Sequence, residues 1–365
     1  MLRPRLDWQS PMSTINTTTP TASTMTRAIA EPRAGVRLEI AEVPTPGEGE
    51  VLVRSSLVGI CGSDTHAIGG HHPFLTSTYL PGHEAVGVVA AVGAGAEIMR
   101  EGQRVILKPN VNCGDCLNCV SGRTNACEKL EWIGCDPSLQ RAGAMAEYFV
   151  APVGNLFIVP DLVDDTTAAL VECLATPVHA ARIAGDLHGA RVVVLGAGTI
   201  GVLCVVAALN AGAASVVVTD MDPGKIERAK RVGAHDGFLA SDPTVDDRII
   251  AALGGANADV VFDCVAVEGS FRQAVGLLRR AGTLMVVGVP PRDAALPMPL
   301  IQDWEIRVQG AAAYTEEDIL TSLEIAERGG LPSAEVVSGV YALSDVAAAF
   351  AAAAADSSGK MLVAP

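Results

Sequence analysis

Four cysteines stand close together in one short, polar segment of the chain. The segment follows the pattern Cys-x2-Cys-x2-Cys-x7-Cys and has few large apolar residues; the cysteines are Cys113, Cys116, Cys119 and Cys127. Four thiolates in one loop supply the tetrahedral sulfur set of a structural zinc site. A loop without a core of its own would take its folding free energy from such an ion. An iron–sulfur cluster uses similar ligands, and spacing alone does not separate the two.

Two further metal ligands are expected earlier in the chain. Cys61 opens the motif Cys-Gly-Ser-Asp-x-His, and His83 lies in the motif Gly-His-Glu. A catalytic zinc site has three protein ligands and keeps one position open for water or a substrate oxygen. We expect Cys61 and His83 to be two of those three ligands.

A glycine motif lies between a strand predicted over residues 191–195 and a helix predicted to end near Ala211; its members are Gly196, Gly198, Thr199, Ile200 and Gly201. Glycines here let the backbone approach a pyrophosphate, whose charge is met by the helix N-terminus. Asp220 closes the next predicted strand, where a carboxylate binds ribose hydroxyls. That carboxylate and Asp222 would repel a 2′-phosphate, so the motif predicts NAD rather than NADP.

Two patterns divide the chain into domains. Between about residues 51 and 150, short β-rich segments alternate with glycine and proline turns, which predicts a mostly β domain. From about residue 190, buried apolar strands alternate with helices, which predicts a doubly wound parallel sheet. Its expected strands are residues 191–195, 215–219, 259–263, 283–289 and 306–310.

The domain boundaries follow from these patterns. We expect a catalytic domain in residues 27–175 and 313–365, and an NAD-binding domain in residues 176–312. A terminal strand at residues 360–363 should join the sheet of the catalytic domain. Residues 1–26 are rich in Thr, Ser and Pro and predict a disordered extension, within which Met1, Met12 and Met25 are all candidate starts.

Taken together, the motifs resemble those of the medium-chain zinc-dependent alcohol dehydrogenase family, from Cys61 to the C-terminus. Within that family the sequence is most similar to the sorbitol and threonine dehydrogenase branch. The resemblance implies an α/β protein with a mostly β, GroES-like catalytic domain and a Rossmann domain with a six-stranded parallel sheet. It implies Glu172 as the third ligand of the catalytic zinc and Glu84 as an alternate ligand or a group behind the ligands. The branch usually has proline after that glutamate, whereas this chain has Cys173.

The same resemblance assigns roles to residues around the metal and the cofactor. Ser63 would hydrogen-bond the zinc-bound alcohol, and His66 would continue the proton path toward solvent. Asp64 would orient His83, as a carboxylate behind a ligating imidazole fixes its tautomer. The remaining cofactor contacts would be Lys225 at the adenosine ribose, and Gly288 and Val289 beside the nicotinamide.

Composition limits the partners of the chain. A formal net charge of -15 over 365 residues argues against nucleic acid as a partner. No stretch approaches the roughly 20 apolar residues of a membrane-spanning helix, and no secretory signal is evident. We therefore expect a cytoplasmic protein whose nine cysteines are reduced thiols or metal ligands. Similarity to bacterial relatives implies a homo-oligomer, with a tetramer favoured over a dimer.

The expected function is reversible oxidation of a secondary alcohol, polyol or amino alcohol, with two zinc ions per chain and NAD as hydride acceptor. A metal-free reductase of the same superfamily is one alternative, and it would lack the ligands Cys61, His83 and Glu172. A cofactor-binding protein without turnover is the other, and it would have lost a ligand or a relay residue.

Overall fold

The computed structural model describes residues 22–290, 292–355 and 359–365. Most of the expected N-terminal extension, with the candidate starts Met1 and Met12, lies outside these residues. The first strand already begins at Thr24 and pairs along its length with the next strand. Residues 24–26 therefore belong to a sheet, and the predicted boundary at residue 26 is wrong by about three residues. The physical reason is burial at the start of the strand, where Met25 is 4% exposed.

The N-terminal part of the chain is mostly β, as predicted. Its strands are β1 (Thr24–Glu31), β2 (Gly35–Glu42), β3 (Glu50–Gly59), β4 (Glu84–Val92), β5 (Arg104–Leu107), β6 (Asn110–Val111), β7 (Glu131–Trp132), β8 (Tyr148–Pro152) and β9 (Leu156–Ile158). Two short helices interrupt them, α1 (Gly62–Ile68) and α2 (Leu117–Val120). The strands β3, β4, β5 and β9 are antiparallel neighbours, and β8 pairs with β3.

The middle of the chain alternates strands and helices. The strands are β10 (Arg191–Leu195), β11 (Ser215–Asp220), β12 (Asp236–Leu239), β13 (Ala258–Asp263), β14 (Leu278–Val286) and β15 (Arg307–Gly310). The helices are α3 (Asp165–Ala168), α4 (Val171–Ala184), α5 (Thr199–Asn210), α6 (Pro223–Arg231), α7 (Val245–Ala252), α8 (Glu268–Leu277) and α9 (Met298–Asp303). The six strands form one parallel sheet in the order β12-β11-β10-β13-β14-β15, so the predicted doubly wound, six-stranded Rossmann sheet is confirmed.

Apolar side chains on both faces explain this sheet. In β10, Val192 and Val194 pack into the core cluster that contains α4 and α5, whereas Val193 and Leu195 pack into the cluster that contains α7 and α8. A strand covered on both faces needs a continuous apolar run, and β10 has one. The strand β12 was not singled out from the sequence, because Asp236 and Gly237 break its short apolar pattern.

The chain then returns to the first sheet. Its last elements are α10 (Glu316–Glu327), α11 (Ser333–Val336), β16 (Val337–Ala342), α12 (Val346–Ala355) and β17 (Lys360–Ala364). The strand β17 lies between β16 and β3, with Leu362 opposite Gly59. The predicted pairing of the terminal strand with the first domain is therefore correct. The predicted boundary at residue 175 falls inside α4, and the boundary at residue 312 falls between β15 and α10.

None of the helices in the described ranges is long and apolar enough to cross a membrane.

Candidate active site and metal centres

The first two expected zinc ligands meet where β3 ends and β4 begins. Cys61 follows β3 directly and precedes α1, and His83 lies just before Glu84, the first residue of β4. The antiparallel register pairs Gly59 with Glu84, which brings the two loops together. One ligand atom each of Cys61, His83 and Glu84 lies within 4.8 Å of the other two. A thiol, an imidazole and a carboxylate at this spacing are a suitable donor set for zinc.

Glu84 is held by a buried lysine. Lys360 Nζ, on β17, donates to both carboxylate oxygens of Glu84 at 2.6 and 2.7 Å, and to the carbonyl oxygen of Ile60. The Glu84 and Lys360 side chains are 1% and 4% exposed, so the pair is screened from water. Burial alone would lower the pKa of Lys360, but the carboxylate of Glu84 raises it above its ordinary value. A side chain on Gly59 would collide with the Glu84 carboxylate, so glycine is required there.

Glu172 approaches from the N-terminal turn of α4 and is also buried. Its Oε1 atom accepts a hydrogen bond from the hydroxyl of Tyr314, which lies in the segment between β15 and α10. Burial, and next the charge of Glu84, raise the pKa of Glu172 to about 7. Glu84, and not Glu172, belongs to the group of ligand atoms within 4.8 Å of Cys61 and His83. The role of Glu172 as third ligand stays a prediction.

His83 has a sulfur partner that the sequence did not indicate. Cys135 Sγ lies 3.2 Å from His83 Nδ1, and the Trp132 ring meets the imidazole edge-on at 6.4 Å between centroids. Burial alone would lower the pKa of His83, but Cys135 and Cys61 raise it well above its ordinary value. Because Cys135 occupies Nδ1, the other ring nitrogen, Nε2, is the atom left to bind a metal.

Asp64 was expected to orient His83. One of its oxygens lies within 4.8 Å of a His83 ring nitrogen, but its hydrogen bonds go to other groups. Tyr79 donates its hydroxyl proton to Oδ1 at 2.8 Å, and the Cys61 backbone N–H donates to Oδ2 at 3.1 Å. Burial raises the pKa of this fully buried carboxyl. Asp64 thus caps α1 and fixes the backbone of Cys61, and its action on His83 stays a prediction.

The two expected relay residues also lie on α1. Ser63 is half-buried beside Cys61, whereas His66 is exposed on the same helix. A proton path from the site to solvent requires one residue near the site and another at the surface. The path itself stays a prediction.

The four closely spaced cysteines converge as expected, in a segment that we call the thiolate loop (residues 113–127). Their sulfur atoms all lie within 4.8 Å of one another. Individual separations are 3.4 Å for Cys113 and Cys127, 3.9 Å for Cys113 and Cys119, and 4.0 Å for Cys116 and Cys127. Tetrahedral zinc with bonds of about 2.3 Å needs sulfur separations of about 3.8 Å. These sulfurs therefore fit a closed zinc site.

Backbone N–H groups prepare the thiolate loop for a cation. Cys127 Sγ accepts hydrogen bonds from the N–H groups of Cys113 and Lys129, both at 3.3 Å. Backbone hydrogen bonds, first from Glu128 and then from Cys119, lower the pKa of Cys116 to about 6. In contrast, a side-chain hydrogen bond to Asp115 raises the pKa of Cys113 to about 12. The protons still held by the cluster would have to leave when a metal binds.

The glycine motif lies where the order of the parallel sheet reverses. β10 has β11 on one side and β13 on the other, so the loops that leave β10 and β13 diverge and open a crevice. Gly196 follows β10 with a φ of 89°, and Gly198 is the N-cap of α5. A Cβ on Gly201 would lie 1.8 Å from the carbonyl oxygen of Gly196. A dinucleotide binds in this type of crevice, with its pyrophosphate at the helix N-terminus.

Besides its expected contact with the ribose, Asp220 makes a structural contact with the glycine loop. Its Oδ2 atom accepts the backbone N–H of Ala197 at 2.7 Å, which ties the glycine loop to the end of β11. Lys225 Nζ lies 3.9 Å from Asp220 Oδ1. From the other side, buried Arg228 donates to the Ala197 carbonyl oxygen at 2.9 Å. The loop is therefore fixed before a cofactor binds.

The last expected cofactor contacts follow β14. Gly288 packs tightly against the loop after β13, because a Cβ there would lie 2.8 Å from the carbonyl oxygen of Cys264. The Val289 side chain is 62% exposed and is free to meet a ligand. Thr199 and Ile200 open α5 and are half-buried. All of these residues lie at the carboxyl edge of the sheet, and their contacts with a cofactor stay a prediction.

Two family models match the chain. The alcohol dehydrogenase GroES-like domain matches residues 47–161, and the zinc-binding dehydrogenase domain matches residues 199–328. L-galactonate-5-dehydrogenase of Escherichia coli K12 is 35% identical over 76% of this chain and 80% of its own length. The chain belongs to the medium-chain zinc-dependent alcohol dehydrogenases. The predicted family, fold class and enzyme class are thereby confirmed.

Other dehydrogenases are similar to the chain in sequence and in fold. Sorbitol dehydrogenase of Bacillus subtilis is 30% identical over 80% of this chain and 82% of its own length. A protein from Escherichia coli CFT073 described as a short chain alcohol dehydrogenase, solved with NADH, superimposes with a TM-score of 0.87 at 26% identity and covers 94% of this chain and 100% of its own. A zinc-binding dehydrogenase from Sinorhizobium meliloti 1021, solved with NADP, has a TM-score of 0.87 at 29% identity and the same coverage.

Sequence reasoning missed the side chains that contact the expected site residues of this dehydrogenase. Cys135, Tyr79, Tyr314 and Lys360 contact His83, Asp64, Glu172 and Glu84 respectively. The partners lie between 15 and 276 positions from the residues they contact, outside any recognisable motif. The one available signal was Lys360, since a lysine at the start of a strand that must join a buried sheet requires a counter-charge.

We expect Gly201→Ala to destabilise the dehydrogenase even without cofactor, because its Cβ would overlap the Gly196 carbonyl oxygen. The cost should be about 1–3 kcal/mol or more. Gly198→Ala is the matched control, since its Cβ would meet open space and its φ is compatible with alanine. Thermal unfolding of the cofactor-free proteins measures the difference. Equal melting temperatures for the two variants would contradict the packing argument.

We expect Lys360→Met to lower the free energy of unfolding by about 3–5 kcal/mol, because it leaves the Glu84 carboxylate buried and unpaired. The double variant Glu84→Gln with Lys360→Met should recover most of that loss, because it removes the stranded charge. Urea unfolding followed by circular dichroism measures both. A double variant no more stable than the single one would show that the ion pair is not the cause.

Proposed function

We propose that this dehydrogenase oxidises a secondary alcohol, a polyol or an amino alcohol with NAD, at a zinc ion held by Cys61, His83 and Glu172. The observation that carries the proposal is the convergence of Cys61, His83 and Glu84 within 4.8 Å, near enough to buried Glu172 for the charges of Glu84 and His83 to act on its carboxylate. When bound, zinc would supply Lewis-acid activation of the alcohol hydroxyl. The names of the relatives, which include a galactonate and a sorbitol dehydrogenase, support a polyhydroxylated substrate.

Glu84 and Glu172 have different roles in the proposed site, and the contacts of Lys360 distinguish them. Lys360 Nζ occupies both oxygens of Glu84, so Glu84 could bind a metal only by giving up part of that buried ion pair. Glu172 has no such counter-charge in direct contact among the described residues, and its raised pKa reflects burial next to another carboxylate. A cation beside Glu172 would stabilise its charged form. These contacts support Glu172 as the third ligand and Glu84 as the group behind it.

The proton would leave through α1. Ser63, half-buried and two residues after Cys61, would accept the hydroxyl proton of the substrate and release its own hydroxyl proton in the same step. His66, exposed on the same helix, would carry that proton toward solvent. Asp64 would keep α1 in register through its bonds to Tyr79 and Cys61.

The cofactor preference rests on Asp220. Solved relatives hold NADH in one case and NADP in another, so similarity alone leaves both open. Asp220 ends β11 as a carboxylate with spare lone pairs, and Asp222 follows two residues later. A 2′-phosphate would be repelled by both, whereas ribose hydroxyls would donate to Asp220. We therefore propose NAD.

Two zinc ions per chain and a homo-oligomer complete the proposal, with a tetramer favoured. The thiolate loop provides the second, structural zinc site. β15 is an edge strand of the Rossmann sheet, and nearby Met298 and Val308 are 58% and 36% exposed. An open edge with apolar neighbours would pair with a second copy of the chain. The free cysteines of the described chain support the cytoplasm as its compartment.

Metal content tests the two sites separately. The purified protein should contain about two zinc ions per chain, and Cys61→Ala should contain about one, with its fold intact and turnover abolished. Cys173→Ala is the matched control, because this buried thiol donates only to the Leu170 carbonyl oxygen. Atomic absorption and a panel of secondary alcohols with NAD provide the measurements. A Cys61→Ala protein that retains both ions or its activity would contradict the proposed ligand.

Cofactor choice tests Asp220. In Asp220→Asn the ratio of kcat/KM for NADP to that for NAD should rise about tenfold or more, because the like charge facing a 2′-phosphate is gone. The amide can still accept the Ala197 N–H, so the glycine loop should hold its place. Asp222→Asn serves as the control for a more distant charge. An unchanged ratio in Asp220→Asn would refute the electrostatic explanation.

A further inference from the structure

One residue of the thiolate loop contacts two other parts of the protein. Asn125 lies between the third and fourth cysteines, and its Nδ2 atom donates to the Ala312 carbonyl oxygen at 3.0 Å. The same nitrogen lies 3.2 Å from Nε2 of His179, on α4. Ala312 lies in the segment that joins β15 to α10, which we call the linker (residues 311–315). The thiolate loop is thus in contact with the linker and with the helix that carries Glu172.

His179 extends this contact into a buried network. Its Nδ1 atom lies 2.8 Å from Asp318 Oδ2, and Asp318, on α10, has no exposed surface. Arg182 Nε donates to Asp318 Oδ1 at 2.7 Å, and the Thr315 backbone N–H donates to Oδ2 at 2.7 Å. A carboxylate with this many donors holds its neighbours in a single arrangement. The far end of the linker is therefore fixed as well.

The linker needs such support because its backbone is strained. Ala313 has a φ of 55°, a conformation that alanine adopts only when its surroundings impose it. Asn125 holds the carbonyl before it, and Asn110 Nδ2 donates to the carbonyl of Tyr314 after it at 2.8 Å. The Tyr314 hydroxyl donates to Glu172. The position of Tyr314, and with it the orientation of the Glu172 carboxylate, depends on contacts from outside the linker.

We propose that Asn125 is a positioning residue for the active site. When the thiolate loop is ordered, Asn125 holds the linker in place, and the linker in turn holds Tyr314 and the Glu172 carboxylate that Tyr314 contacts. The inference rests on the proposed function in so far as Glu172 is a ligand there. A four-sulfur loop without its own core is ordered only when its metal is bound. The structural zinc site would then hold the third ligand of the catalytic site in place as well as its own loop.

The test compares two asparagines of the same loop in the full-length, zinc-loaded enzyme. Asn125→Ala removes the bond to the linker, whereas Asn118→Ala removes a bond to Ala126 inside the loop. We expect Asn125→Ala to lower kcat about tenfold with the KM for NAD unchanged, the range found for groups that support a metal ligand. It should also release its catalytic metal faster to a chelator and shift the visible spectrum of the cobalt-substituted site. Asn118→Ala should match the wild type in all three.

Equal behaviour of the two variants would overturn the proposal. If Asn125→Ala does not fold, Asn125→Asp is the second variant, because it keeps the size of the side chain and removes its donor. A double-variant comparison tests the route: with Tyr314→Phe in place, Asn125→Ala should cause little further loss. Independent, multiplied losses would refute transmission through Tyr314.

Failure of the proposed function would give results different from a failure of this inference. A wild-type enzyme that binds zinc at Cys61 but oxidises no alcohol with NAD would reject the reaction. The cobalt spectrum and the rate of metal release would still report on the catalytic site. A spectrum unchanged by Asn125→Ala would then reject the inference on its own.

Discussion

The buried ion pair of Lys360 and Glu84 is the contact on which the rest of the active site depends. It joins a strand near the end of the chain to the start of β4, directly beside His83 and Cys61. An unpaired carboxylate at this depth would be strongly disfavoured, so β17 must dock in one register. That register places Lys360 against Glu84 beside the site. In the proposed site, the division of roles between the two glutamates would therefore follow from one lysine.

The sequence was informative where a group of ligands lies within one short segment. The thiolate loop and the glycine motif each hold their residues within a few positions, so the spacing alone predicts that their side chains converge. Hydrophobic runs likewise predicted the parallel sheet, because β10 is apolar on both faces. The weakest predictions concerned short polar strands such as β12 and the start of β1, where pairing rather than composition decides the structure.

The sequence could not reveal the side chains that contact the expected metal ligands. Cys135 contacts His83 across 52 positions and Tyr314 contacts Glu172 across 142, and neither belongs to a motif. Such contacts depend on how three separate segments pack, which local patterns do not encode. Asp220 illustrates the same limit: the motif predicted its contact with ribose, but its bond to the glycine loop became visible only in the folded chain. In the proposed site, Asp220 would both hold the glycine loop and bind the ribose, so two separate contacts would require a carboxylate at this position.

The position of Lys360 also bears on how the protein is made. During synthesis on the ribosome, β3 and β4 emerge some three hundred residues before β17, as the separation of 300 positions between Ile60 and Lys360 requires. Until then the lysine that pairs with Glu84, and the strand that pairs with this edge of β3, are both missing. The Rossmann sheet, whose strands are close in sequence, can form before the catalytic domain is complete. The nascent chain would thus acquire a cofactor crevice before the buried ion pair beside Cys61 and His83 can form.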